Sequence, residues 1–160
     1  MSTSIIVVGA NGRMGRTISQ LVDAEPAFSL AGMVDSKEHV GKLAGSPCPV
    51  GDSLAAVLPQ APGAVTIDFP APAVSLQSAR TVAESGRALV IGTTGFTDAE
   101  KDELRELAKR APIFWSSNMS IGINVLYKIL PELTRALGDT YDIEMVELHH
   151  NHKKDSPSGT

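Results

Sequence analysis

Two stretches of this chain gather the groups that can do chemistry. Near the start, Gly9-Ala10-Asn11-Gly12-Arg13-Met14-Gly15 sets a glycine at every third position between an apolar run and a helical pattern. At the other end, three of the four histidines fall within residues 149–152, followed by Lys153, Lys154 and Ser158-Gly159-Thr160. The first stretch suits anion binding by backbone N–H groups. The second suits proton transfer beside a bound negative charge.

A strand-to-helix turn that approaches a pyrophosphate needs glycine in the tight turn and again where the helix packs on the strand. The free N–H groups of the first helical turn then hold the phosphate. The spacing here is G-x-x-G-x-x-G rather than the commoner G-x-G-x-x-G, so its placement carries the argument. Asp35 lies 20 residues beyond Gly15, at the end of the second strand candidate, where a carboxylate binds a ribose diol. Arg13 and Arg16 oppose the helix dipole at a cost of about 0.3–1 kcal/mol each, a sign that a bound phosphate reverses. A carboxylate at 35 repels the 2′-phosphate of NADPH, while Lys37, Arg13 and Arg16 offset that repulsion. The expected cofactor is NADH or NADPH, with NADH favoured by Asp35. The plain alternative is a turn made by glycines and a carboxylate that merely ends a strand.

In the second stretch, a histidine with an ordinary pKa near about 6.5 can give a proton at neutral pH. A neighbouring lysine stabilises developing negative charge. The Ser158-Gly159-Thr160 turn offers a hydroxyl and N–H groups to a carboxylate. His150 and His152, at alternate positions, could also chelate zinc, but no Cys or further His accompanies them and Lys153 and Lys154 would repel a cation. No metal is therefore expected. His39 stands apart and reads as structural or exposed.

The elements that must position these groups alternate strictly. Strands are expected at Ser4–Val8, Phe28–Val34, Val65–Phe69, Ala88–Ile91 and Pro112–Trp115. Helices are expected at Arg13–Ala24, with Met14, Ile18, Leu21 and Val22 on one face, and at about Ala73–Ser85, closed by Gly86. Thr97-Asp98-Ala99-Glu100 is a capping box opening a helix to about Arg110. Nearly all-apolar strands alternating with helices argue a parallel sheet covered on both faces, a Rossmann-like doubly wound α/β domain. After Trp115 the chain turns small and polar, then reads as a helix over Ile123–Leu137, ended by Gly138, and a strand over Asp142–Leu148. The expected division is 1–120 for the dinucleotide-binding domain and 121–160 for the beginning of an α+β substrate-binding domain.

The 160 residues are 42% hydrophobic and 20% charged, enough apolar content for an ordered core. The formal net charge of −4 gives no support to nucleic-acid binding. Cys48 is the only cysteine and fits a reducing compartment. No apolar stretch approaches the roughly 20 residues of a membrane helix, and the N-terminal run lacks a basic leader. The expectation is a soluble cytoplasmic protein without a membrane partner.

Gly9-Ala10-Asn11-Gly12-Arg13-Met14-Gly15-Arg16, Ile91-Gly92-Thr93-Thr94-Gly95-Phe96 and the closing segment from Glu147 to Thr160, taken in order, resemble the dihydrodipicolinate reductase (4-hydroxy-tetrahydrodipicolinate reductase) family. That family serves diaminopimelate and lysine biosynthesis. The resemblance implies a nicotinamide-dependent reduction of a cyclic imine carrying two carboxylates: a hydride moves to the ring, and the resulting enamine carbon takes a proton. It implies that Gly9, Ala10, Asn11, Gly12, Arg13 and Met14 cradle the pyrophosphate and that Asp35, with Ser36, holds the adenosine ribose. Gly92, Thr93 and Thr94 would lie near the nicotinamide, and Ser116, Ser117, Asn118 and Met119 would close over it. His149 would donate the proton with Lys153 as its companion, and His150, Gly159 and Thr160 would bind the substrate. Two positions depart from the family pattern: Pro70 follows Asp68-Phe69 where Thr or Ser is usual, and Met119 follows Asn118 where an aromatic is usual.

Members of this family continue for roughly another hundred residues and form homotetramers through the sheet of the second domain. The expectation is therefore an N-terminal portion of the enzyme, inactive by itself. The competing class is a sensor that binds the dinucleotide without chemistry. It shares the glycine loop and Asp35 but has no need of clustered His and Lys beside an anion nest.

Overall fold

The computed structural model describes residues 2–149 and 151, and divides between Trp115 and Ser116 into two compact units. The first is built on six parallel strands: β1 (Thr3–Val8), β2 (Phe28–Val34), β3 (Val50–Gly51), β4 (Val65–Asp68), β5 (Leu89–Ile91) and β6 (Ile113–Trp115). Their spatial order is β3-β2-β1-β4-β5-β6. Helices α1 (Arg13–Ala24), α2 (Leu54–Val57), α3 (Pro72–Ser85) and α4 (Asp98–Leu107) lie between them in the chain. This is the Rossmann-like doubly wound order, and its direction switches between β1 and β4.

The period of two along β1 divides the core. Ile5 and Val7 pack on one face with Ala10 and Val22, whereas Ile6 and Val8 pack on the other with Val57, Leu76, Val82, Leu89 and Ile91. Burial on both faces is why these strands read as unbroken apolar runs.

The expected strands and helices of this unit are all present, with ends shifted by a few residues. Gly86 closes α3 with φ +65°, and α4 carries its capping box, the Glu100 N–H on Thr97 Oγ1 and the Thr97 N–H on Glu100 Oε2. One face needs correction. Met14 and Leu21 of α1 are exposed, and the buried residues are Gly15, Ser19 and Val22. The helix approaches the sheet through its small residues, which turns the bulkier side chains at 14 and 21 outward. The sequence carries no periodic signal for β3 and α2, too short to show one, yet Leu54 and Val57 sit in the core.

The second unit contains α5 (Ile121–Leu137), which starts two residues earlier than expected. Ser120 caps it by accepting the Ile123 N–H, and Gly138 ends it. None of its residues is buried. The strand expected at Asp142–Leu148 does not form, and Ile143, Met145, Val146 and Leu148 are exposed. An alternating segment becomes a strand only where a neighbour takes its ladder hydrogen bonds, and none of the described residues does so. No helix among the described residues is long and apolar enough to cross a membrane.

Candidate functional site

The loop after β1 is held from three directions. The Gly9 and Ala10 N–H groups donate to Val34 O at 2.9 and 3.1 Å, and the Gly12 N–H donates to Gly9 O at 3.0 Å. Gly9 has φ +75°, in the left-handed region that favours glycine. At Gly15 the need is space, because a Cβ there would stand 2.1 Å from Gly9 O and 2.6 Å from the Ala10 Cα. Gly12 caps α1 without any side-chain hydrogen bond, and no acidic residue lies in the first turn. The N–H groups of Arg13, Met14 and Gly15 thus head a twelve-residue helix whose dipole favours an anion. The residues present fit a pyrophosphate.

Asp35 closes this arrangement. Its Oδ2 accepts the Asn11 N–H at 2.7 Å and its Oδ1 accepts the Ser36 N–H at 2.8 Å. His39 Nδ1 stands 3.6 Å from Oδ1 and 3.3 Å from Ser36 Oγ. Asn11 in turn accepts the Arg16 guanidinium at 2.6 Å on Oδ1. Beyond Asp35 opens an apolar cleft of about 420 Å³ at the C-terminal ends of the strands. Gly9, Asp35, Asp52, Pro70, Val74 and Ser78 are among the residues that line it. Asp52 is brought there by the β2–β3 pair, where the Asp35 N–H donates to Gly51 O at 3.2 Å.

The loop after β5 is tied down differently. The Gly92 N–H donates to Asp68 O at 3.0 Å, and the Phe69 ring packs so closely that a Cβ on Gly92 would meet it at 2.0 Å. Thr93 is 5% exposed and its hydroxyl turns inward. Its hydroxyl lies 2.8 Å from the Ser75 hydroxyl and 3.5 Å from Asp68 Oδ1, and Ser75 donates to Asp68 Oδ1. The Trp115 indole N–H donates to Thr93 O at 3.0 Å, and its ring meets Phe96 edge-on at 5.5 Å. Thr94, by contrast, is exposed.

Burial pushes the Asp68 carboxyl group above its ordinary range, against the hydroxyls of Ser75, Ser78 and Thr93. Sequence reasoning missed this cluster and the wall formed by Asp52, Val74 and Ser78. A carboxylate ending the apolar run Val65-Thr66-Ile67 was the available signal.

In the second unit Ser116 Oγ donates to Asn118 O at 2.8 Å, and Asn118 Oδ1 accepts the Ser120 N–H at 2.8 Å. Met119 is exposed. His149 is exposed, with Nδ1 at 3.6 Å from Glu147 Oε2. His150, His152, Lys153, Gly159 and Thr160 lie outside the described residues. Among the described residues, no group of three His, Cys, Asp or Glu side chains could hold a metal ion.

Residues 3–119 match the family profile of dihydrodipicolinate reductase, N-terminus, and residues 122–160 match that of its C-terminus. The chain belongs to the dihydrodipicolinate reductase family. It is 83% identical over its whole length to 4-hydroxy-tetrahydrodipicolinate reductase of Desulfovibrio desulfuricans, and 55% identical to that of Nitratidesulfovibrio vulgaris (strain DP4). In both cases it spans 62% of the relative's length. Among solved structures it is similar to dipicolinate-bound dihydrodipicolinate reductase from Paenisporosarcina sp. TG-14, with TM-score 0.75 and 27% identity over 99% of this chain and 62% of that one. Dihydrodipicolinate reductase membership thus covers both units, the cofactor-type sheet and the segment that follows it.

Proposed function

We propose that this chain supplies the dinucleotide-binding part, and the start of the acid–base part, of a 4-hydroxy-tetrahydrodipicolinate reductase acting in diaminopimelate and lysine biosynthesis. The carrying observation is the Asn11 N–H to Asp35 Oδ2 contact, which places a glycine loop and a carboxylate together at the rim of one apolar cleft. In this reading the bound nicotinamide supplies the hydride. Gly9 to Met14 hold its pyrophosphate through backbone N–H groups, and Asp35 with Ser36 holds the adenosine ribose. Gly92, Thr93 and Thr94, with Ser116 to Met119, surround the nicotinamide end, Thr93 acting through the position of its backbone. His149 delivers the proton, Lys153 offsets negative charge, and His150, Gly159 and Thr160 bind the carboxylates of the substrate. The domain division at about residue 120 separates these two tasks.

NADH is the preferred cofactor, because the cleft carries Asp35 and Asp52 and no Lys or Arg among its lining residues. The complete enzyme works in the cytoplasm, consistent with the unpaired Cys48. It assembles as a homotetramer, consistent with the exposed apolar residues of α5 and of 143–148. The test is turnover of the full-length protein with freshly generated cyclic imine, followed by loss of reduced-cofactor absorbance. Consumption of NADH only when the imine is present supports the reading. A full-length protein that binds NADH and consumes none would leave the sensor class standing.

A further inference from the structure

Asp68 is the one acidic side chain among the described residues that is wholly removed from solvent, at 0% exposure. It ends β4 at the switch point of the sheet, beside the two loops that the cofactor reading requires. Its Oδ1 is shared by the Ser75 and Thr93 hydroxyls, while its Oδ2 is buried with no hydrogen-bond partner among the described residues. We propose that Asp68 is a positioning residue of the cofactor site, clamping Thr93 and Ser75 so that the Gly92–Gly95 loop keeps the shape the nicotinamide end needs. This rests on the cofactor reading given above.

The atoms trace a continuous path. Asp68 and Ser75 hold the Thr93 hydroxyl inside, Asp68 O accepts the Gly92 N–H, and the Trp115 indole N–H donates to the outer side of the same loop at Thr93 O. These three attachments at Gly92 and Thr93 leave Thr94 and Gly95 as the exposed residues of the loop. Removing the carboxyl group frees two hydroxyls at once and leaves them buried.

Burial favours the neutral form of this acid. An ionised carboxylate would bury a full charge that only uncharged hydroxyls face, whereas the neutral acid buries only a dipole. The groups that face it carry no charge: Val8 from β1, Ile91 from β5, Ser75 and Ser78 from α3, and Thr93 from the loop. Burial raises its pKa in the direction this requires.

The experiment uses the full-length protein, with NADH titrated by fluorescence and the indole N–H resonance of Trp115, assigned with Trp115→Phe, as the report on the loop. Asp68→Asn keeps a neutral group of the same shape with an acceptor at Oδ1. It is expected to hold NADH affinity within about threefold and to leave the Trp115 resonance in place. Asp68→Ala is expected to weaken NADH by about tenfold or more and to move that resonance. Raising the pH until Asp68 ionises should loosen NADH and shift the resonance in the wild type and do neither in Asp68→Asn, a response that a purely structural side chain would not produce. If Asp68→Ala does not fold, Thr93→Val takes its place with the same expected losses. The proposal is overturned if Asn damages a folded protein as much as Ala, if Ala leaves affinity and resonance unchanged, or if wild type and Asp68→Asn share one pH response. Should NADH fail to bind the wild type while the resonance still responds to pH only when Asp68 is present, the clamp stands and the cofactor reading falls.

Discussion

The Asn11 N–H donates to Asp35 Oδ2 at 2.7 Å, so the carboxylate at the end of β2 also fixes the glycine loop at the end of β1. The two halves of the proposed dinucleotide site are therefore joined by a hydrogen bond within the chain itself. Asp35→Ala should both remove a ribose acceptor and release the loop. A hydrogen bond to a charged group is worth about 1.5–3 kcal/mol, so NADH affinity should fall roughly 10- to 100-fold. NADPH, which Asp35 repels, should lose less. Fluorescence titration of both cofactors decides this, and an equal loss for both would remove Asp35 from the ribose.

Gly15→Ala should destabilise the first unit by more than about 2 kcal/mol, because the new methyl group would stand 2.1 Å from backbone oxygen, which cannot move aside as a side chain could. Gly41→Ala is the control. Nothing lies within 4 Å of the added atom there, so its effect should stay within about 0.5 kcal/mol. Urea unfolding of the two variants should separate them clearly.

Burial holds the folded-state pKa of Asp68 above its unfolded value. Between the two pKa values the native state therefore binds more protons than the unfolded chain, and stability falls as the pH rises. The loss begins in the ordinary carboxylate range and levels off above the folded pKa. Each tenfold difference in proton affinity between the two states is worth about 1.4 kcal/mol. Asp68→Asn should remove this contribution. Urea midpoints measured from pH 4 to 8 should therefore decline less with pH in Asp68→Asn than in the wild type.

On the proposed reading, His149→Gln in the full-length protein should lower kcat by about 100- to 10,000-fold, the usual worth of general acid catalysis. Lys153→Ala should also depress kcat, and His150→Ala should act mainly on KM, its expected partner being a substrate carboxylate. NADH binding should survive all three, measured by fluorescence. Near-wild-type turnover in His149→Gln would place the proton donor elsewhere.

Much of the first unit was legible in the chain. The apolar runs around Ile6, Ile67 and Val90, the glycine spacing from Gly9 to Gly15 and the Thr97 capping box each declare a local structure, because backbone conformation and two-faced burial are nearest-neighbour matters. So was the pairing of the glycine loop with Asp35, which needs only the length of one strand–helix–strand unit. The buried face of α1 was not legible, since Gly15 and Ser19 carry little hydrophobic signal and are buried because they are small enough to let the helix approach.

What the sequence determined by itself, then, was the order and type of the longer elements of the first unit and the spacing of the glycine loop ahead of Asp35. Tertiary structure alone decided the rest. It placed Asp52, Val74 and Ser78, from distant stretches of the chain, around one cleft. It turned the Thr93 hydroxyl inward to Asp68 and Ser75, and it left Asp142–Leu148 without a strand partner among the described residues. The reason is the same in each case. A hydrogen bond or a wall between residues far apart in the chain depends on which elements the sheet order makes neighbours, and no local pattern of residues encodes that order.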